Sequence, residues 1–208
     1  MTVLSTKERI LNTTEKLISE KGFSSISLRT ISTNAKTNLA AVNYHFGNKE
    51  KLIEMMLERR LNNLFQLRIN LLDKLESGSN KPCNLKQILE AFIAPALTMS
   101  NDNHQGGQRF MRVLARAYAE KSEYLHSLLS KRYANVIKRF AVAIQRSATH
   151  LDEKVVFWRF HFIMGSLIYV MADFGASSRS SELTETEYFN ICCKELIDFA
   201  LSSLSNPT

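Results

Sequence analysis

Between Ser27 and Lys49 the chain concentrates side chains suited to hydrogen-bonding recognition. Thr37, Asn38, Asn43, Tyr44, His45 and Lys49 supply hydroxyl, amide, phenol, imidazole and ammonium groups, with the small Ala40 and Ala41 among them. A carboxamide can pair bidentately with an adenine edge, and an ammonium can hold a backbone phosphate. For Asn43 two readings stay open: a base-reading amide, or a solvent-facing or backbone-bonded one. Catalytic chemistry has no comparable cluster. His45, His104, His126, His150 and His161 are scattered, with neither metal-ligand spacing nor a nearby nucleophile signature. His161 shares a helix face with Trp158 and is expected to be a satisfied core histidine. No catalytic residue, metal or cofactor is expected.

The polar cluster needs two short helices to carry it. Ser27 is an N-cap candidate, and Leu28, Ile31 and Ala35 recur on one helical face. Lys36, Thr37 and Asn38 break that pattern with residues that favour turns and caps. A second helix follows from Leu39 to about Phe46 and stops at Gly47. Two short helices joined by a tight turn have the proportions of a helix-turn-helix, here about 27–46, whose second helix enters the DNA major groove. They cannot bury a core alone. A first helix is expected to pack behind them. It opens at the capping box Ser5-Thr6-Lys7-Glu8, carries Ile10, Leu11, Thr14, Leu17 and Ile18 inward, and ends at Gly22.

Composition sets the outer limits. The chain has 208 residues, 45% apolar, enough for a small head and a larger body. Only 7 Gly and 3 Pro favour long helices over a loop-rich β fold. The net charge is +7, and residues 1–60 hold 10 basic against 6 acidic side chains, so the excess per residue is greatest in the head. That suits a polyanionic partner. No signal peptide and no uninterrupted membrane-spanning run stand out, and no helix segregates Lys and Arg from apolar residues as a membrane-surface helix does. Cys83, Cys192 and Cys193 are odd in number and lack paired spacing, which reads as reduced thiols in a cytoplasmic protein.

Beyond the head, Asn48 should cap a helix running to about Leu75, roughly 40 Å at about 1.5 Å per residue, long enough to serve both head and body. Gly78 to Asn84, with Pro82, and Asn101 to Gly107 read as loops. Pro95 should kink or end the helix it lies in. Residues 108–119 carry Arg109, Arg112 and Arg116 as a solvated or subunit-facing stripe, and 122–146 reads as one amphipathic helix. From Val155 to Ala172 the pattern is apolar nearly all round: Trp158, Phe162, Gly165 and Tyr169 on one side, Phe160, Ile163, Leu167 and Met171 on the other. A helix of that kind must be covered on both faces. Residues 184–203 are similarly rich in large apolar side chains, among them Leu196 and Phe199. A twofold homodimer built as a four-helix bundle satisfies both helices.

The run from Asn43 through Tyr44, His45, Phe46, Gly47, Asn48 and Lys49 to Glu50 resembles the end of the DNA-binding head of TetR-family repressors. Leu39 to Phe46 together with Phe157 to Phe162 most resembles the fatty-acid-responsive PsrA-type members. That resemblance implies an all-α fold of about nine helices, with a DNA-binding head over 4–64 and a ligand-binding and dimerisation body over 65–208. It also implies a ligand-responsive repressor released from an inverted-repeat operator. Position 43, usually a phosphate-touching tyrosine in the family, is asparagine here. The expected DNA contacts are Ser27, Thr37, Asn38, Leu39, Ala40, Asn43, Tyr44, His45 and Lys49. The expected effector is apolar, a long-chain fatty acid or its acyl-CoA. It would be lined by Phe65, Phe92, Phe110, Met111, Leu114, Phe140, Trp158 and Phe162, with Arg159 or His161 meeting the carboxylate. The competing classes are an all-helical enzyme and a lipid-binding protein without DNA function.

Overall fold

A computed structural model describes residues 4–78, 83–101, 106–171 and 183–206. Pro82, His104 and Ala172 lie outside them. Among the described residues all regular structure is helical: α1 (Thr6–Lys21), α2 (Leu28–Asn34), α3 (Leu39–Phe46), α4 (Lys49–Ser77), α5 (Leu85–Asn101), α6 (Gly107–Ala119), α7 (Glu123–Leu128), a π-helical turn (Leu129–Tyr133), α8 (Ala134–Ser147), α9 (Glu153–Met171) and α10 (Glu185–Ser205). The all-α expectation holds, and with 123–147 taken as one helical run the described residues form nine helices.

The chain forms two compact units. The first comprises Met1–Asn63 with Arg109–Arg132, the second Leu64–Gln108 with Tyr133–Thr208. Thus α6 and α7 group with the first three helices, and α4 contributes residues to each unit.

In the first unit, α1, α2 and α3 pack on one another around Ile10, Ile18, Ile31, Val42 and Phe46. Glu15 is buried among them, and its carboxylate accepts from Arg59 at 2.9 Å and from Arg60 at 3.4 Å. Two basic partners are what a buried carboxylate requires, because an unpaired charge there is very costly.

In the second unit, α5, α8, α9 and α10 pack together. Phe92 sits 5.0 Å from Phe140 and 5.0 Å from Phe160, ring centre to ring centre. Arg68, which interrupts the apolar stripe of α4 in the sequence, is only 5% exposed. Its Nε donates to the Phe92 carbonyl at 2.8 Å and its guanidinium lies 3.9 Å from the Phe92 ring centre. The interruption is therefore part of the core, held by the negative faces of aromatic rings.

One of the two outcomes open at Pro95 is ruled out: α5 does not end there but continues to Asn101. Its buried neighbours Ala91, Phe92, Ile93, Ala96 and Leu97 keep the helix docked despite the missing N–H. The 122–146 helix contains the π turn, and the boundary between units falls inside it. An extra residue in one turn re-sets the phase of the apolar face, so Leu125 and Leu128 serve one core while Tyr133, Phe140 and Ile144 serve the other.

Candidate functional site

The recognition helix is built by local bonds. Ser27 Oγ accepts from the Thr30 N–H at 3.1 Å and starts α2. Lys36 adopts φ 51° in the turn, and Asn38 Oδ1 accepts from the Ala41 N–H at 2.7 Å, starting α3. Gly47, at φ 76°, ends α3 with its N–H on the Asn43 carbonyl at 2.8 Å. Asn48 then caps α4 through the Lys51 N–H at 2.8 Å. A left-handed backbone at Gly47 is what lets α4 begin so soon after α3 ends.

Val42 and Phe46 anchor α3 inward. The residues between them face outward. Leu39, Ala40, Asn43 and Tyr44 are exposed, as are Ser27 and Asn38, while Thr37 and His45 are half-buried. Tyr44 is 86% exposed, with its ring edge-on to His45 at 5.2 Å. This aromatic surface stands on a helix capped at both ends. Arg29 on α2 and Lys36 in the turn are exposed as well, two cations that were not among the expected DNA contacts. Lys49 differs from the rest. It is half-buried, and its ammonium donates to the Phe23 carbonyl at 2.9 Å.

The ten residues expected to line one effector cavity are dispersed. Phe65, Phe92 and Phe140 are buried in the second unit, whereas Phe110, Met111 and Leu114 are buried in the first. Trp158 and Phe162 are exposed, Phe162 by 64%. His161 is exposed too, with Nδ1 2.8 Å from the Phe157 carbonyl, so it is not a core histidine. Arg159 is turned to the end of α10, where it donates to the Ser203 carbonyl and, at 2.8 Å, to that of Asn206. Helix ends leave carbonyls unmatched, and a guanidinium satisfies them. Two described grooves have volumes of about 410 and 680 Å³. The smaller lies between α4 and the start of α5, beside Leu71 and Glu90; the larger follows α7, beside Leu125 and Lys131. None of the ten lines either groove.

α9 divides cleanly. Phe160, Ile163, Leu167 and Met171 are buried, while Phe157, Trp158, Phe162 and Tyr169 form an exposed stripe on which Trp158 and Phe162 stack at 6.1 Å. By length and composition α9 is apolar enough to cross a bilayer, yet Val156, Phe160, Ile163, Leu167 and Met171 on one side of it are already buried in the core of the second unit. On α10, Ile191 and Phe199 are exposed, but Leu196 is only 6% exposed. Leu196 therefore faces the chain's own core, contrary to a partner-facing role. Arg116, expected in a solvated or subunit-facing stripe, instead donates to the Ser19 and Glu20 carbonyls at 3.1 Å each and so caps α1.

Comparison with known proteins agrees with this architecture. Residues 90–202 match the family described as "Tetracyclin repressor-like, C-terminal domain", and residues 10–56 match "Bacterial regulatory proteins, tetR family". No curated protein sequence matches the chain. Among solved structures, the ketosteroid transcriptional regulator KstR2 of Mycobacterium tuberculosis is 15% identical, with 97% of this chain and 95% of that one covered and a TM-score of 0.67. The TetR family regulator PfmR from Thermus thermophilus is 19% identical over 96% of this chain and 97% of its own, at 0.66. The fatty acid degradation regulator FadR from Bacillus halodurans is 15% identical over 95% and 97%, at 0.60. Identities this low speak to fold alone, but the family match covers more than half of the chain. With an outward-facing recognition helix on a three-helix head and a helical C-terminal region, this chain belongs to the TetR family of DNA-binding transcription regulators.

Proposed function

We propose that the protein is a homodimeric repressor that binds an inverted-repeat operator in the bacterial cytoplasm and leaves it when a small apolar effector binds. The observation that carries the DNA reading is the exposed face of α3. Ser27, Thr37, Asn38, Leu39, Ala40, Asn43, Tyr44 and His45 make the contacts, with Arg29 and Lys36 supplying phosphate charge. Asn43, exposed in the middle of α3, reads a base edge where most family members place a tyrosine on phosphate. The twofold axis runs through the exposed stripe of α9 and the Phe199 side of α10, because an apolar strip of that size on a soluble chain calls for a cover. Two recognition helices then meet half-sites about one helical turn apart.

The effector is a long-chain fatty acid or acyl-CoA. The PsrA-type resemblance supports this, as does the regulator of fatty acid degradation among the structural neighbours. The site is smaller than the sequence suggests. It is confined to the second unit, where the Phe65 and Phe92 rings meet the buried Arg68 cation and Phe140 packs on Phe92. Each methylene buried adds about 0.8 kcal/mol, so affinity rises steeply with chain length until the site is full. Release requires tighter binding to the DNA-free form, since equal affinity for both forms shifts nothing. The experiment is a titration of protein bound to its own promoter DNA with fatty acids and acyl-CoAs of increasing length. Release that strengthens with length supports the assignment. Release by none of them, or indifferent to length, removes the lipid and leaves the repressor.

A further inference from the structure

Phe23 lies in the link between α1 and α2, and its main chain is gripped from two sides. Its N–H donates to Glu120 Oε2 at 3.1 Å, and its carbonyl accepts from Lys49 Nζ at 2.9 Å. Glu120 follows the last turn of α6, and Lys49 is the first residue of α4. One side chain therefore comes from the segment just beyond α6, the other from the residue that leaves the recognition helix. The Phe23 ring is held as well, stacked on Tyr124 of α7 at 6.3 Å. All of these residues belong to the first unit.

The approach of Glu120 has been built for. Gly22 adopts φ +84°, and a Cβ there would lie 2.4 Å from Glu120 Oε1. Only a glycine both accepts that backbone and leaves room for the carboxylate. Arg116, one turn before Glu120, is 3.9 Å from it and caps the end of α1 through Ser19 and Glu20. Three separate bonds thus tie the end of α6 to the end of α1, and one more ties the same link to the start of α4.

We propose that Glu120 and Lys49 are positioning residues for operator binding: they clamp Phe23 between them, so that the last turn of α6 fixes the frame on which α3 is presented. Lys49 works inward in this arrangement and does not neutralise a phosphate. An exposed phosphate-binding lysine and an internal strut differ in a measurable way. Each phosphate neutralised contributes about 0.9 to the slope of log K against log salt concentration, whereas a strut contributes nothing to it.

The test uses the full-length protein, Glu120→Ala, Glu120→Gln, Glu120→Asp, Lys49→Ala and the Glu120→Ala/Lys49→Ala double variant. The probe is a duplex selected from random-sequence DNA by the unaltered protein, with affinity measured over a salt series. Glu120→Ala and Lys49→Ala should each weaken binding about tenfold, the equivalent of about 1.4 kcal/mol, with an unchanged salt slope. Because both act on one residue, the double variant should be no weaker than the poorer single variant. Glu120→Gln keeps an acceptor for the Phe23 N–H and should restore affinity. Glu120→Asp, which draws the carboxylate back by a methylene, should not. Hydrogen exchange at the Phe23 amide supplies a readout independent of DNA and should quicken at least about tenfold in Glu120→Ala and Glu120→Asp, as expected for a released local bond. A salt slope reduced by about one in Lys49→Ala would make Lys49 a phosphate contact and overturn the proposal. Additive losses in the double variant, failure of Glu120→Gln to restore affinity, or unchanged exchange at Phe23 would overturn it equally.

Discussion

Around α2 and α3, the bonds that set each helix boundary come from within four residues; around α9 and α10, the key partners are tens of residues away. Ser27 serves Thr30, Asn38 serves Ala41, and Gly47 returns to Asn43. By contrast Arg159 of α9 meets the end of α10 from 44 residues off, and in the same unit Arg68 of α4 reaches Phe92 of α5 across 24. Local bonds shape the reading surface itself, and longer ties, from Glu120 and Lys49 to Phe23, seat it in the head. Distant bonds make a core whose parts depend on one another. The contrast is tested most sharply where an error of face has the largest cost.

Leu196 and Phe199 are three residues apart on α10 and face opposite environments, one 6% and the other 54% exposed. Leu196→Glu places an unpaired carboxylate in the core and should cost several kcal/mol, leaving little folded protein by circular dichroism. Phe199→Glu should fold normally and sediment as a monomer at concentrations where the unaltered protein is a dimer. A folded Leu196→Glu, or a dimeric Phe199→Glu, would reverse the assignment of faces.

Next comes Phe92→Ala, expected to cost about 3–5 kcal/mol in denaturant unfolding. Besides opening a cavity against Phe140 and Phe160, it removes the ring nearest the Arg68 guanidinium. A loss under about 1 kcal/mol would mean that the aromatic core is not the mainstay of the second unit.

The same contrast explains what was readable from the chain. Ser5 with Glu8, Ser27, Asn38, Gly47 and Asn48 are caps whose chemistry lies within a turn of their partners, so the helix boundaries of the head were legible almost bond by bond, while its long-range ties, such as Phe23 to Glu120, were not. The two sides of α9 were legible as well, because a helical period reports facing directly. Which residue meets which across the chain was not. The pattern placed Phe110 and Phe92 in one cavity although they lie in different units. It gave Arg159 and His161 to a ligand, where one caps a helix and the other stays exposed. A side chain's type announces what it can bind, but not which distant carbonyl will reach it first.

Within the head, stability and recognition should separate. Asn38→Ala removes the cap of α3 and should cost about 1 kcal/mol of stability along with operator affinity. Tyr44→Ala touches nothing buried and should change stability by less than about 0.5 kcal/mol while still lowering operator affinity. Thermal unfolding and DNA binding measured on the same two variants decide this. Equal stability losses would mean that Tyr44 is a packing residue despite its exposure.

The smallest expected effect concerns a local device placed in the body. Thr184 and Glu187 form a capping box at the start of α10: Thr184 Oγ1 accepts from the Glu187 N–H at 3.2 Å, and the Thr184 N–H donates to Glu187 Oε2 at 2.9 Å. The Thr184 hydroxyl, and after it the Thr184 N–H, hold the Glu187 carboxyl below the usual carboxylate range. Both bonds favour the ionised form, so the stabilisation is complete above the ordinary glutamate pKa and fades as pH falls through the lowered folded value. Glu187 is fully exposed, and solvent keeps the effect slight. Thr184→Ala should therefore lower the melting temperature a little at neutral pH, with the gap between variant and parent closing in acid. If α10 is instead held only by distant contacts such as Arg159, the gap will be absent at every pH. A gap that widens in acid would mean that the Thr184 bonds favour the protonated carboxyl.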